Sequence, residues 1–398
     1  MTSIRLTLFR RAGVLLAAML AFSANAQFSF TLTNNTPAAI PRRASIILIV
    51  ADGLGYGDLS CYGQAKYQTP NLDKMAAEGI RFTHYYAGSM AGSPARAALL
   101  LGRDAAHLQQ RADAVVPLAA DDVTVAKILK QSGYATGLIG EWDLGDENSS
   151  GAPWKQGFAG FAGYFNPVDA ENSYAEYMWR YVPAPRRLTN STEPEFKGRE
   201  MLYYNTGGKK GQYIPDLYTK AAINFIKINQ PDQFNRYRPF FLLLNYKLPH
   251  IGKGTTVPTD APFSSEAWPQ PEKNRAALIA RLDGYIGEVR EQLFKLGMTN
   301  NVAIFFTSDT IAQKSGGVDP KFFQSNIATN DLRVPMIVCW PGKIPAGQTS
   351  DFAWTASDFL PTAAEIAYAK LPEKIDGISV LPVLSGQTQT NRHAFLKP

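Results

Sequence analysis

Several strand-like runs in this 398-residue chain end on residues that can do acid–base, cation or anion chemistry. Ile46–Val50 stops at Asp52, and Tyr134–Gly140 runs into Glu141-Trp142-Asp143. Pro239–Leu244 leads to Lys247 and Pro249-His250, and Val302–Phe306 leads to Thr307-Ser308-Asp309-Thr310. Carboxylates hold hard cations or move protons, and an imidazole titrates near neutrality. A further stretch, Gly92-Ser93-Pro94-Ala95-Arg96, opens the apolar run Ala97–Leu101. Ser93 has the type of an N-cap and Pro94 that of a first helical residue, which predicts a helix start there. Such a start is an anion site, because its free N–H groups and dipole face the ligand. The Ser93 hydroxyl is the one nucleophile at hand, but a capping hydroxyl points at backbone N–H groups.

The elements that must position these residues follow from the hydrophobic pattern. Ile46–Val50 and Pro239–Leu244 are continuously apolar, which predicts strands covered on both faces in an α/β sheet that is largely parallel. Ligands of such sheets bind outside the carboxyl ends of the strands, where Asp52, Glu141, Asp143, His250 and Asp309 all fall. Amphipathic spacing predicts helices from Thr69-Pro70 through Glu78, over Val123–Lys130, over Tyr218–Ile228 and over Lys273–Leu296. Residues Ser149–Gly211 are rich in aromatic residues, Gly and Pro, and predict variable loops of the kind that select a substrate.

Arg5, Arg10 and Arg11, the apolar Ala12–Phe22 and Ala24-Asn25-Ala26 predict a cleaved signal peptide over residues 1–26. Export to the periplasm or the extracellular space is expected, with a flexible lead-in over 27–43 and one large domain over 44–398. The apolar run is short of the roughly 20 residues that span a bilayer, so no membrane span is expected after cleavage. Removing three arginines and no acids lowers the formal charge from +6 to +3, too weak a balance for a nucleic-acid partner. Two cysteines, Cys61 in a loop and Cys339 in an apolar run, are expected to stay thiols, since a core this large does not require a disulfide.

Ala51-Asp52-Gly53-Leu54-Gly55-Tyr56-Gly57-Asp58-Leu59, Thr69-Pro70-Asn71-Leu72-Asp73 and Gly92-Ser93-Pro94-Ala95-Arg96-Ala97-Ala98 resemble the opening of the sulfatase family, of the alkaline-phosphatase-like superfamily. The resemblance continues through Gly133-Tyr134, Gly140-Glu141-Trp142-Asp143-Leu144-Gly145, Pro249-His250, Thr307-Ser308-Asp309, Val334-Pro335, the helical stretch Thr355–Tyr368 and Asp376-Gly377-Ile378-Ser379. It implies a central, mostly parallel mixed sheet flanked by helices, with the family's small C-terminal subdomain largely absent. It also implies calcium held at Asp52, Gly53, Asp309 and Thr310, and a formylglycine nucleophile at position 92. Sulfate contacts are implied at 96, 141, 143, 250 and, by alignment of the stretch before Arg333, at Gln324.

Here the scaffold is kept and its centre is replaced. Gly92 has no side chain to oxidise, so no formylglycine is expected. Gly53 and Thr310 stand where the family has Asp and Asn, and Glu141 and Asp143 where it has Lys and His. Arg96 and His250 are kept. The leading expectation is an exported sulfatase-fold protein without the family's catalysis, binding sulfated or plain glycans or other anionic small molecules. The alternative is a metal-dependent ester hydrolase in which Asp52, Asp309, Glu141 and Asp143 share one ion. A third is a shortened product with marginal folding.

Overall fold

Ile46–Val50 becomes the centre of a sheet covered on both faces, and all eight residues of its strand, β1 (Ser45–Asp52), are buried. The structure is a computed structural model and describes residues 43–110, 116–182, 196–231, 238–311, 333–390 and 393. Along the chain follow β2 (Ile80–Phe82), β3 (Tyr85–Tyr86), β4 (Ala135–Glu141), β5 (Gly160–Tyr164), β6 (Tyr177–Val182) and β7 (Phe196–Met201). Then come β8 (Phe240–Pro249), β9 (Val302–Ser308), β10 (Met336–Cys339), β11 (Gln348–Ser350) and β12 (Trp354–Thr355). Ten of them form one sheet in the order β11-β2-β10-β9-β1-β8-β4-β5-β6-β7, and β3 pairs with β12. The central strands β9, β1, β8, β4 and β5 are parallel, and antiparallel pairing begins at β10 and β6. This is the mixed, mostly parallel sheet expected.

Side chains alternate across a strand, so β1 feeds two cores. Ile47 and Ile49 join Leu242 and Leu244 against the helices Pro70–Ala77, Ile214–Ile228 and Gln270–Lys295. Ile46, Leu48 and Val50 join Phe241, Leu243 and Phe305 against Gly92–Leu101, Val125–Gln131 and Phe359–Ile366. Each fully buried Ile or Leu contributes about 1.5–3 kcal/mol, which fixes the register at β1.

Helix limits differ from the pattern where caps decide them. Thr124 accepts the Lys127 N–H at 3.1 Å, so the third predicted helix starts at Val125 rather than Val123. Pro215 and Pro271 sit in first turns, which moves two starts forward to Ile214 and Gln270. The stretch Ser149–Gly211, expected as loops, carries β5, β6 and β7 at the sheet edge. There the guanidinium of Arg199 lies over the rings of Tyr177 and Trp179, a cross-strand packing that favours aromatic residues in strands. Cys61 lies in a one-turn helix, Ser60–Tyr62, and both cysteines are free thiols.

The turn after Asp52 is held from two directions. Gly53 has φ +69°, a left-handed conformation that glycine adopts without strain. Its carbonyl accepts from Arg275 Nη2 at 2.8 Å, while the same nitrogen donates to Asp58 Oδ2 at 2.7 Å. A second glycine, Gly140, lets β4 approach β8, since a Cβ there would stand 1.8 Å from the Asn245 carbonyl oxygen.

Candidate functional site

The period of two that buries β1 also aims its last residue. Asp52 shares a face with Ile46, Leu48 and Val50, Lys247 with Phe241 and Leu243, and Asp309 with Ala303 and Phe305. All three side chains therefore leave the sheet on the side of the helix Gly92–Leu101, from whose first turns Arg96 reaches in. Glu141 is the last residue of β4 and Asp143 follows it, beside β8, where Asn245 Nδ2 donates to the Glu141 carbonyl at 2.8 Å.

The result is a buried cluster of four carboxylates and two cations. Arg96 Nη1 lies 3.0 Å from Glu141 Oε1, its Nη2 3.2 Å from Asp143 Oδ2, and its Nε 3.6 Å from Asp309 Oδ2. Lys247 Nζ lies 2.7 Å from Asp52 Oδ2 and 3.2 Å from Glu141 Oε2. Thr310 Oγ1 accepts the Gly53 N–H at 3.0 Å and stands 3.1 Å from Asp309 Oδ1 and 3.4 Å from Asp52 Oδ1, joining two strand ends. Glu141 is 1% exposed, Asp309 3% and Arg96 7%, so these pairs are held in low dielectric.

The carboxylates respond differently. Burial raises Asp52, but Lys247, His250 and Arg96 together bring it below its ordinary value. Burial and the neighbouring Asp52 charge push Asp309 up to about 7, against the pull of Arg96. Burial also raises Asp143, with Arg96 opposing. Lys247 is raised despite burial because Glu141 and Asp52 face it, and it stays an ammonium. Arg96 is likewise raised, with Glu141 the largest opposing influence on its burial.

Of the residues singled out, the structure brings together Asp52, Arg96, Glu141, Asp143, Asp309 and Thr310. Ser93 is a correction. The helix begins at Gly92 with Ala91 in the capping position, so Ser93 is the second helical residue and its hydroxyl donates to Asp143 Oδ2. Pro94, expected first, is the third helical residue, tolerated there because the first four N–H groups of a helix lack partners anyway. His250 stands at the edge of the cluster, its Nε2 3.5 Å from Glu171 Oε1. Gln324 lies outside the described residues, as does the signal-peptide stretch. Lys247 is the contributor whose direction the sequence left open, and its parity with Phe241 and Leu243 carries that signal.

The family model for sulfatases matches residues 44–369. The chain belongs to the sulfatase family. It is 31% identical to human arylsulfatase A over 90% of this chain and 71% of that one. It is 29% identical to N-acetylgalactosamine-6-sulfatase of Canis lupus familiaris, over 90% and 69%. Among solved structures it is similar to Ps i-CgsB in complex with k-i-k-neocarrahexaose, with TM-score 0.68 and 27% identity over 86% of this chain and 76% of that one.

Calcium, which sulfatases generally use, is poorly served by this donor set. The ion takes 6–8 oxygens. Gly53 and Gly92 offer no side-chain oxygen, and the Thr310 hydroxyl is engaged by Gly53 and Asp309. The space between Asp52 and Glu141 is taken by the Lys247 ammonium, and that between Glu141, Asp143 and Asp309 by the Arg96 guanidinium. The residues do not fit the ion.

Proposed function

We propose that this sulfatase-family chain is non-hydrolytic: an exported protein that keeps the scaffold, holds a glycan at the carboxyl ends of β1, β4, β8 and β9, and does not cleave sulfate esters by the formylglycine route. The observation that carries this reading is at Gly92. A side-chain carbon there would stand 2.7 Å from Arg96 Nη2 and 3.3 Å from Asp309 Oδ2, so the nucleophile position lacks a side chain and its space is filled.

Magnitudes support the same reading. A hydrolase stripped of its nucleophilic triad retains about 10^3–10^4 over water, whereas enzymes supply about 10^6 or more. Here the nucleophile, the metal donors and the groups at 141 and 143 are replaced together. Both cluster cations are engaged by carboxylates, and Glu141 and Asp143 oppose an incoming sulfate, which favours a plain glycan over a sulfated one. Export is supported by Arg5, Arg10, Arg11, the apolar Ala12–Phe22 and the Ala24-Asn25-Ala26 site.

The test is an assay of purified protein, matured alongside a cysteine-oxidising partner, on aryl sulfates and sulfated sugars, with thermal-shift screening of plain and sulfated oligosaccharides. No turnover and stabilisation by plain glycans are expected. Sulfate release above the uncatalysed rate would end the reading.

A second reading rests on the contact between Ser93 and Asp143. A serine hydroxyl bonded to a carboxylate, with Arg96 beside it, is the arrangement of a nucleophile and its proton acceptor. Carboxylic or phosphate ester turnover lost in Ser93→Ala would establish it and displace the first.

A further inference from the structure

We propose that Lys247 is the resident cation of this site: its ammonium stands between Asp52 and Glu141 in place of a divalent ion, and a divalent-ion site lies latent beneath it. The inference goes beyond the glycan-holding reading and does not depend on it.

The geometry is that of a bridging ion. Nζ contacts one oxygen from the end of β1 at 2.7 Å and one from the end of β4 at 3.2 Å, while its own strand, β8, runs between them. The Lys247 side chain is 12% exposed and that of Glu141 1%, so the ammonium is packed rather than dangling. An arriving ion would have to displace a tethered charge and push two positive centres together, a repulsion that low dielectric strengthens. Among the described residues no group of three acidic, imidazole or thiol side chains could hold a metal ion. An ammonium wedged between two carboxylates keeps them apart in this way.

Once the ammonium is removed, Asp52 and Glu141 face each other across its place. Thr310 Oγ1 lies 3.4 Å from Asp52 Oδ1, and the buried Oδ2 of Asp309 makes no hydrogen bond, its neighbour being Arg96 Nε at 3.6 Å. Arg96 still holds Glu141, but Asp52 loses its nearest cation and faces a second carboxylate, a repulsion that a divalent ion relieves. Water would have to complete the shell, since the ion takes 6–8 oxygens.

The experiment is isothermal titration of Ca2+, Mg2+ and Mn2+ into metal-stripped full-length protein and its Lys247→Ala and Lys247→Met variants, with melting curves in EDTA and in 5 mM of each ion. Wild type is expected to show no saturable binding and the same melting temperature throughout. Each variant is expected to bind one ion at least tenfold more tightly than wild type and to melt higher with it. Wild-type binding that Asp52→Ala abolishes overturns the proposal, and so do folded Lys247 variants that bind none of the three ions. Lys247→Met keeps the aliphatic stem should the alanine variant fail to fold. Should neither fold without ions, recovery of folded variant in Ca2+ supports the proposal and no recovery in any ion overturns it. Neither overturning result touches the sulfate-ester assay, so the two readings fail separately.

Discussion

The guanidinium of Arg96 occupies the space that a side chain on Gly92 would need: Nη2 lies 2.7 Å from the position of a Cβ there. A flexible arginine tip normally gives way, but this one is pinned by Glu141, Asp143 and Asp309. Gly92→Ala would ordinarily stabilise a helix start by about 0.5–1 kcal/mol. Here the clash reverses the sign, and we expect a loss of about 1–3 kcal/mol. Chemical denaturation of Gly92→Ala and Gly92→Cys checks this. A midpoint at or above that of wild type would show that Arg96 moves freely.

Arg96 itself holds three carboxylates that have little access to water. Arg96→Met leaves them uncompensated, and breaking a buried pair in this way costs about 3–5 kcal/mol. Arg96→Lys should recover only part of the loss, because one ammonium cannot repeat a planar fork that reaches Glu141, Asp143 and Asp309. Urea unfolding of the two variants side by side measures the difference. Equal stability of both would mean that charge alone, without the fork, sustains the cluster.

Much of this arrangement was legible in the sequence, for identifiable reasons. The continuously apolar run Ile46–Val50 suits a strand covered on both faces, which places Asp52 at a carboxyl end. The direction of Lys247 was left open, because the β1–β8 register shifts between Ala51 and Asp52, just where the lysine stands. Where the Gly92 helix starts was not readable, because Ser-Pro imitates a cap while Gly92 takes the first helical position. That Glu141 and Asp143 both reach Arg96 was equally hidden. It depends on Gly140 at φ +110° and Asp143 at φ +58°, backbone turns that no side-chain pattern announces. The edge strands β6 and β7 were masked by a composition that reads as loop.

The two thiols should be unreactive in the native protein. Burial, followed by the neighbouring Asp73 charge, pushes Cys61 up to about 12, and burial pushes Cys339 up to about 11. Thiolate is the reacting species, so both should resist a disulfide reagent at pH 8 and titrate as two thiols per chain only in denaturant. Reducing agent should leave the melting temperature unchanged. Rapid native labelling would contradict the burial of Cys339, or, at the half-buried Cys61, the suppression of its thiolate.

The pH dependence of stability isolates Asp309. Its folded pKa, pushed to about 7 by burial and by Asp52, lies above its unfolded value, so the folded state binds the extra proton. Its contribution is therefore fully present below the unfolded carboxyl pKa of about 4 and is lost as pH rises through 7. Asp52 works in the opposite sense, since its folded pKa is depressed and its contribution is lost as pH falls. The difference between wild type and Asp309→Asn removes that background. The asparagine variant, isosteric with the protonated acid, should be close to wild type near pH 4 and increasingly more stable than it from pH 5 to pH 8. Unfolding midpoints across that range decide the matter. A difference independent of pH would mean that Asp309 stays ionised in the folded protein, with Arg96 outweighing both burial and Asp52.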